Sequence, residues 1–467
     1  FPVSTGKNGA GWGLGLHESP NDGPFKVEGD GKAPAGIFQI GMAFGQAASL
    51  TTGLGYQAMT ADDWCIDVNA SPLYNRIVSV RDVGPEAIAG SSEPMRRDIH
   101  SGDHLYNKGF VIVHNPENYP LFSGFLKELG VPTKATEMSF AVHNRALGMF
   151  YNAHDLGGLF CQKRNLLSPA FWRMLSEIRR FYAECPALLA SDQEGPALGE
   201  YLDANGYSAY FIDNHLIPMA SALWSSPSQR ILDFPAKYLV AFMANHHMLQ
   251  ISGRPLWRVL ENGSRSYIEK LSGSWPVSVH LNAPVQHVLR NDDGVTITTP
   301  LGTEQFDQVI FACHSDQTLM MLGDADNSEQ SILGMIRYQA NETILHCDAS
   351  VLPLNRRAWA AWNADIPGDP GTPCTVSYCM NILQGIDSPE PFIVSLNQRS
   401  QIDPSKIFAV MQYHHPVYDH AMVRAQSRRH EIQGKRRSWF CGAYWGFGFH
   451  EDGFRSGHEV AEGILAL

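Results

Sequence analysis

The stretch 439–467, WFCGAYWGFGFHEDGFRSGHEVAEGILAL, limits the possible folds more than any other part of the chain. A short apolar strand over 438–441 runs into Gly442, an aromatic and glycine-rich loop follows, and Glu451-Asp452-Gly453 opens a helix with apolar positions at Val460, Ala461, Ile464 and Leu465. Unpaired N–H groups and the positive end of the helix dipole then face whatever lies before Asp452 and Gly453. Glycines at 442, 446, 448 and 453 let backbone approach a flat ligand where a side chain would collide. Such a strand, loop and helix N-terminus suits an anionic ligand. It is also what an ordinary closing helix looks like after a glycine-rich turn.

A reduced flavin, negative at its N1/C2 carbonyl edge, is one ligand of the right chemistry. The segment resembles the closing flavin motif of the FAD-dependent amine oxidase-like superfamily, which also contains phytoene desaturases and protoporphyrinogen oxidases. It is most similar to the bacterial branch of predicted NAD/FAD-binding proteins. The resemblance implies Gly442 beside the ribityl and phosphate region and Asp452, Gly453 and Phe454 beside the flavin ring. Many superfamily members carry an acidic residue directly after the glycine; this chain has Ala443.

Residues 1 to about 100 have a different texture: short apolar pieces, such as 36–42 and 75–80, lie between clusters of Gly, Pro, Asp and Asn, which predicts a β-rich module. The run 9–15, GAGWGLG, never gives glycine at i, i+2 and i+5 and is no dinucleotide fingerprint. The block 26–38, KVEGDGKAPAGIF, with Cys65-Ile66-Asp67 and 71–78, SPLYNRIV, resembles the first half of a YkuD-type L,D-transpeptidase domain. That resemblance implies peptidoglycan chemistry through a nucleophilic cysteine in a later Ser-x-Gly-Cys motif, which this sequence lacks. Cys65 reads as a structural thiol, and the spacing of His100, His104 and His114 does not make any of them its base. Stretch 108–120, KGFVIVHNPENYP, suits both families and marks the join.

From Tyr119 the pattern turns helical. Leu121, Phe125, Leu126 and Leu129 form one face ending at Gly130; Ser168-Pro169 starts a stronger helix over 171–182; and 198–205, 207–215 and 236–247 continue a helical subdomain. Strands are expected over 277–281, 285–290, 295–299 and 306–311, with Asn291-Asp292-Asp293-Gly294 turning a hairpin, and further strands over 336–348 and 375–383. By resemblance, the helical region holds substrate and Val285 lies against the adenine; the alternative is a plain core strand valine. Trp224, His246, Tyr378 and Trp445 are candidates for lining a substrate pocket. No catalytic triad, paired catalytic carboxylates or metal cluster emerges, so the catalytic residue stays unassigned, no metal is expected, and a flavin would carry the redox chemistry.

The superfamily opens with a strand, a GxGxxG turn and a helix that hold the FAD pyrophosphate. No glycine in this chain has partners at i+2 and i+5, which predicts weak or absent FAD binding unless a partner chain completes the fold. The expected fold is mixed α/β: an incomplete FAD-binding, Rossmann-like domain with a helical and sheet substrate domain, preceded by a partial L,D-transpeptidase-like module. Boundaries are expected at 1–115 (β-rich module), 116–255 (helical subdomain), 256–315 (FAD-domain strands), 316–437 (substrate-domain sheet) and 438–467 (flavin-binding strand, loop and helix). The leading function is an FAD-dependent oxidoreductase acting on a small, hydrophobic molecule; the alternatives are a non-catalytic hybrid and an L,D-transpeptidase.

A net charge of −12 argues against nucleic acid or anionic membrane as a general partner, and makes the cluster Arg424, Arg428, Arg429, Lys435, Arg436, Arg437 a solvated face. No apolar run reaches the ~18 residues a spanning helix needs. The eight cysteines lack metal-ligand spacing and read as reduced thiols. A cytoplasmic location fits the flavoprotein part and a periplasmic one the N-terminal module. Position 1 is Phe, and nothing there reads as a signal, so either a leader has been removed or the true start is missing.

Overall fold

The computed structural model describes residues 113–224, 231–368 and 373–467, together with 10–12, 33–35, 43–45, 56–58, 63–65 and 77–83. The chain divides into two compact units, Phe1–His100 and Ser101–Leu467. In the first, the described pieces are short strands and one helical turn, Val80–Val83. Ala10–Trp12 pairs parallel with Ala33–Ala35, Ala43–Gly45 parallel with Tyr56–Ala58, and Asp63–Cys65 antiparallel with Ile77–Ser79, with Cys65 in register with Ile77. The rest of the transpeptidase-like block, the 9–15 run outside 10–12, the 36–42 piece, His100 and His104 lie outside the described residues.

The second unit is built on a seven-stranded sheet in the order Met149–Asn152, Phe140–Asn144, Trp362–Ile366, Thr375–Cys379, Ile393–Leu396, Tyr338–His346, Ile407–Pro416. All neighbours are antiparallel except Phe140–Asn144 beside Trp362–Ile366. Two of the strands thus come from the stretch that reads as helical. A buried polar chain crosses the sheet's middle: the His346 ring bonds Ser395 Oγ at 2.8 Å, and Ser395 Oγ meets Ser377 Oγ at 2.6 Å. A one-residue slip would leave these groups unpaired in the core, so the chain fixes register.

The helices follow their start signals. Ser168 Oγ accepts from Phe171 N at 3.3 Å and opens Pro169–Glu184, whose Phe171, Met174 and Phe181 are fully buried. Pro120 at the first turn opens Pro120–Glu128, and Gly130 in the left-handed region (φ +62°) closes the turn after it. The predicted 207–215 helix is a short helix, Ala209–Phe211, continuing through a π turn, Ile212–Leu216, into Ile217–Trp224. Tyr151 Oη donates to Asn214 O at 2.9 Å and meets His215 Nδ1 at 2.9 Å, while Asn144 Nδ2 donates to Asn214 Oδ1 at 2.8 Å. The sheet thereby holds the widened turn in place.

Two strand expectations are corrected. Residues 277–281 form no strand: Val277, Val279 and Leu281 are exposed, and the left-handed Asn282 (φ +56°) followed by Pro284 keeps the ladder from starting before Gln286 N donates to Thr298 O. The strand predicted over 375–383 stops at Cys379, because Asn381 Oδ1 accepts Phe392 N at 2.6 Å and turns Met380–Gln384 into a helical turn closed by Gly385 at φ +58°. The 287–299 hairpin forms as expected, with Asn291 Oδ1 accepting from the backbone N–H groups of Asp293 and Gly294, and it gains a third strand, Gly302–Phe306.

Arg290 on this hairpin is buried and bonds Asp324, both Glu329 oxygens and Ser438 Oγ, the last at 2.9 Å. It locks the hairpin to the helix Asn327–Gly334 and to the strand Ser438–Phe440, which itself pairs parallel with Val309–Phe311. Four of the six basic-cluster residues are in ion pairs: Arg424 with Glu194, Arg428 with Glu431, Arg429 with Glu459 and Arg436 with Asp324. Cys161, Cys185, Cys313, Cys347, Cys374, Cys379 and Cys441 are free thiols, and among the described residues no helix is long and apolar enough to cross a membrane. Replacing Arg290 by Ala leaves the buried Glu329 carboxylate with only the partly exposed Arg436, at 3.5 Å, as its cation and should cost about 3 kcal/mol in urea unfolding, whereas Arg290→Met with Glu329→Leu should recover most of that loss.

Candidate functional site

The strand Ser438–Phe440 delivers Gly442, whose N–H donates to Ser456 Oγ at 2.9 Å, and the loop then folds back over the helix His450–Leu465. Glycine is required at three loop positions for steric reasons. A Cβ on Gly442 would lie 2.4 Å from Tyr444 Cε1, on Gly446 2.2 Å from Asp452 Oδ1, and on Gly448 2.1 Å from the Tyr418 hydroxyl. Gly453 differs: its Cβ would sit in ordinary contact, 3.7 Å from Ala443 Cβ. The first three glycines therefore let the loop pack against the protein itself, and only Gly453 is left with spare room.

The two acidic residues of the helix's first turn have separate tasks. Asp452 Oδ2 accepts from Phe449 N at 3.1 Å and its other oxygen pairs with Arg455. Glu451 reaches out of its own helix, accepting from Leu121 N at 3.1 Å and Phe122 N at 2.9 Å, and so caps Pro120–Glu128. Phe454 packs on Phe125 with ring centroids 4.9 Å apart. Phe449, at the N-cap, has no side-chain acceptor to offer, so the first N–H groups of this helix lack a side-chain cap.

Against this helix start lies the segment Val113 to Tyr119. His114 and Asn115 are buried and Asn118 nearly so, yet His114 Nε2, Asn115 Nδ2 and Asn118 Oδ1 have no hydrogen-bond partner. Their other polar atoms are satisfied: His114 Nδ1 meets Ser123 Oγ at 2.9 Å, and Asn115 Oδ1 accepts Asn118 N at 2.9 Å. The His114 and His450 rings both pack on Phe122, at 6.0 and 5.4 Å, so His114 borders the uncapped helix turn. Buried polar atoms left open cost about 1–3 kcal/mol each unless a ligand or water satisfies them.

An aromatic wall adjoins. Phe242 is its hub, with Trp224 at 4.8 Å, His246 at 4.0 Å, Phe449 stacked at 4.9 Å and Phe447 at 5.6 Å. Trp224 Nε1 donates to Phe447 O at 3.1 Å, and Tyr238, stacked on Tyr418, donates to Gly446 O at 2.7 Å. Of the sequence candidates, Trp224 and His246 meet here. Tyr378 reaches the helix that carries Trp224, donating to Ala222 O at 3.1 Å. Trp445 sits apart, on Tyr444 and under the Arg429 guanidinium, its Nε1 unpartnered. Val285 is exposed just before the hairpin. Sequence reasoning missed His114, Asn115 and Asn118 as a group and Phe242 as the hub; a polar triplet directly before a Pro-initiated helix was the available signal.

Burial sets the charges. It lowers His246 to about 4, and lowers His114 to about 4 with help from Arg258. Asp452 is pushed upward by its burial, against the opposing pull of Phe449 N and Arg455. Both imidazoles are thus neutral at pH 7 and act as hydrogen-bonding groups rather than cations. Among the described residues, no group of three or more His, Cys, Asp or Glu is placed to hold a metal ion.

With this geometry in view, residues 95–322 match the family model described as flavin containing amine oxidoreductase. The fold is similar to that of the FAD-dependent amine oxidases. A cyclohexylamine oxidase from Brevibacterium oxydans IH-35A aligns at 10% identity and TM-score 0.54, covering 77% of this chain and 87% of its own. A putrescine oxidase aligns at 11% identity and TM-score 0.55, covering 89% and 94%. A CLA-producing fatty acid isomerase from P. acnes aligns at 15% identity and TM-score 0.52, covering 75% and 85%. No curated protein matches the chain.

Gly446→Ala should lower the thermal midpoint, by roughly 1–3 kcal/mol of stability, since Asp452 must move. Gly453→Ala, at a helical position with room, should raise it by about 0.5–1 kcal/mol. His114, His215, His246 and His346 are buried with their values lowered to about 4, 3, 4 and 4 from 6.5, so the unfolded chain binds more protons below pH 6.5. The stability they contribute is full above that value and falls as pH drops towards 4, by roughly 1–3 kcal/mol per histidine, which urea midpoints at pH 7, 6 and 5 would record.

Proposed function

We propose that this chain is an FAD-dependent oxidoreductase of the amine oxidase-like type, taking hydride from a C–N or C–C bond of a small, largely apolar molecule, and that its hold on the dinucleotide is weak. The observation that carries the reading is the set of buried, unpartnered atoms His114 Nε2, Asn115 Nδ2 and Asn118 Oδ1 beside the uncapped first turn of His450–Leu465. These donors and acceptors, with the positive helix end, fit the hydrogen-bonding and developing negative charge of a flavin's pyrimidine edge. When bound, the flavin would supply the two-electron acceptor.

The chain's own residues would bind, orient and keep water out. Gly442 and Ala443 would lie along the ribityl chain, Asp452 and Gly453 at the ring, and Val285 at the adenine. The Phe454 side chain is already committed to Phe125, which leaves its backbone for the ring. The wall of Trp224, Phe242, His246, Phe447 and Phe449 would form the dry side of the substrate space, with neutral His246 as its one polar face. No side chain is assigned as catalytic base.

The weak hold follows from the missing glycine fingerprint, which removes the helix N-terminus that would answer the pyrophosphate. Desalted protein should therefore be colourless, and flavin-fluorescence titration should give FAD and riboflavin dissociation constants within a few-fold of each other. FAD bound a thousandfold tighter than riboflavin would show that a pyrophosphate site exists in the chain and would end the weak-binding part of the reading. No uptake of either, in a protein that melts cooperatively, would end the flavin reading itself. Gly453→Ala should weaken uptake while raising the melting temperature.

A further inference from the structure

Far along the chain from the aromatic wall, the turn between Met149–Asn152 and Pro169–Glu184 carries several large apolar side chains exposed to water. Leu156 is 74% exposed and Leu167 86%, and Trp172, on the outward face of the long helix, is about half exposed. Trp172 Nε1 donates to Leu166 O at 2.9 Å and its ring meets Phe160 at 5.3 Å, so these residues share one surface. A second turn joins them: Asn355 Nδ2 donates to Cys161 O at 3.2 Å and brings alongside Leu354, whose side chain is fully exposed.

The charges on this surface run against those of the whole molecule. Lys163 and Arg164 flank the leucines on one turn, and Arg356 and Arg357 on the other, all exposed. Arg164 is held outward by its bond to Leu147 O at 2.6 Å, and Arg356 lies over the Trp359 ring at 5.2 Å. The neighbouring carboxylates are otherwise engaged: Asp155 caps its own turn through Gly158 N at 2.6 Å, and Glu177 takes Arg173 at 3.3 Å. Leucine and tryptophan tips ringed by four cations, on a chain of net charge −12, are a local reversal of sign.

We propose that this face docks on an anionic phospholipid bilayer. Leu156, Leu167 and Leu354 insert below the headgroups, Trp172 sits at the interface level, and the four cations meet lipid phosphates. An apolar protein partner would be served by the leucines alone. The paired turns of cations around them are what an anionic interface calls for. The assignment does not depend on the flavin reading.

The test is co-flotation of the full chain with vesicles of phosphatidylcholine alone or with one-third phosphatidylglycerol, in low salt and in 0.5 M NaCl, beside sedimentation of the lipid-free protein. Binding is expected to the anionic vesicles, at least tenfold weaker to the zwitterionic ones and reduced by salt. Leu167→Asp with Leu354→Asp, and separately Arg356→Glu with Arg357→Glu, should each lower binding tenfold or more. These side chains are exposed, so unchanged thermal melts check that the variants fold. No flotation with anionic vesicles, or flotation unaltered by both double variants, overturns the proposal. So does a lipid-free dimer that Leu167→Asp with Leu354→Asp dissociates, which would give the face to a second copy of the chain.

Discussion

The carboxylate of Glu451 holds the first described helix of the large unit to its last. It accepts two N–H groups at the start of Pro120–Glu128 from a position in the first turn of His450–Leu465. Two helix N-termini are thereby brought side by side, and the positive ends of two dipoles face one region. One carboxylate answers the upstream helix and leaves the downstream one open. The packing of Phe454 on Phe125 and of His450 on Phe122 follows from that clamp, and so does the position of the polar segment Val113 to Tyr119 beside the glycine loop.

Local chemistry in the sequence revealed much of this architecture. The Ser168-Pro169 start, the Asn291–Gly294 turn and the strand before Gly442 depend on residues within a few positions of one another, and all three formed. Strands Phe140–Asn144, Met149–Asn152 and Ile407–Pro416 carry no clear sequence signal because their alternation is imperfect: buried and half-buried residues are mixed along the first two, and the last mixes half-buried with exposed residues. The run 277–281 failed in the opposite sense, alternating well with nothing to pair against. Pattern reports what a strand could bury, whereas a sheet also needs a neighbour.

The site shows the same division. That the aromatics Trp224 and His246 share a wall was legible in the sequence as candidates, but the hub between them, Phe242, carried no distinguishing mark. The helix-capping role of Glu451 spans some three hundred residues of chain and has no local signature. Neither has the open valence of His114, Asn115 and Asn118, since a polar triplet before a proline usually finds partners. The glycines at 442, 446 and 448 also make room for Tyr444, Asp452 and Tyr418, contacts with no local signature.

The π turn at Ile212–Leu216 amounts to a phase shift. A widened turn accommodates one residue beyond the α-helical repeat, and every side chain after it is rotated by about 100° relative to an uninterrupted helix. Trp224 and Ala222 lie downstream, so the direction in which the indole points is set by a count of residues as much as by its own packing. Tyr151 and Asn144 guard that count from the sheet side. The aromatic wall is thus aimed by a feature on another element, and lineages that gain or lose a residue here would turn the same sequence of side chains towards a different interior.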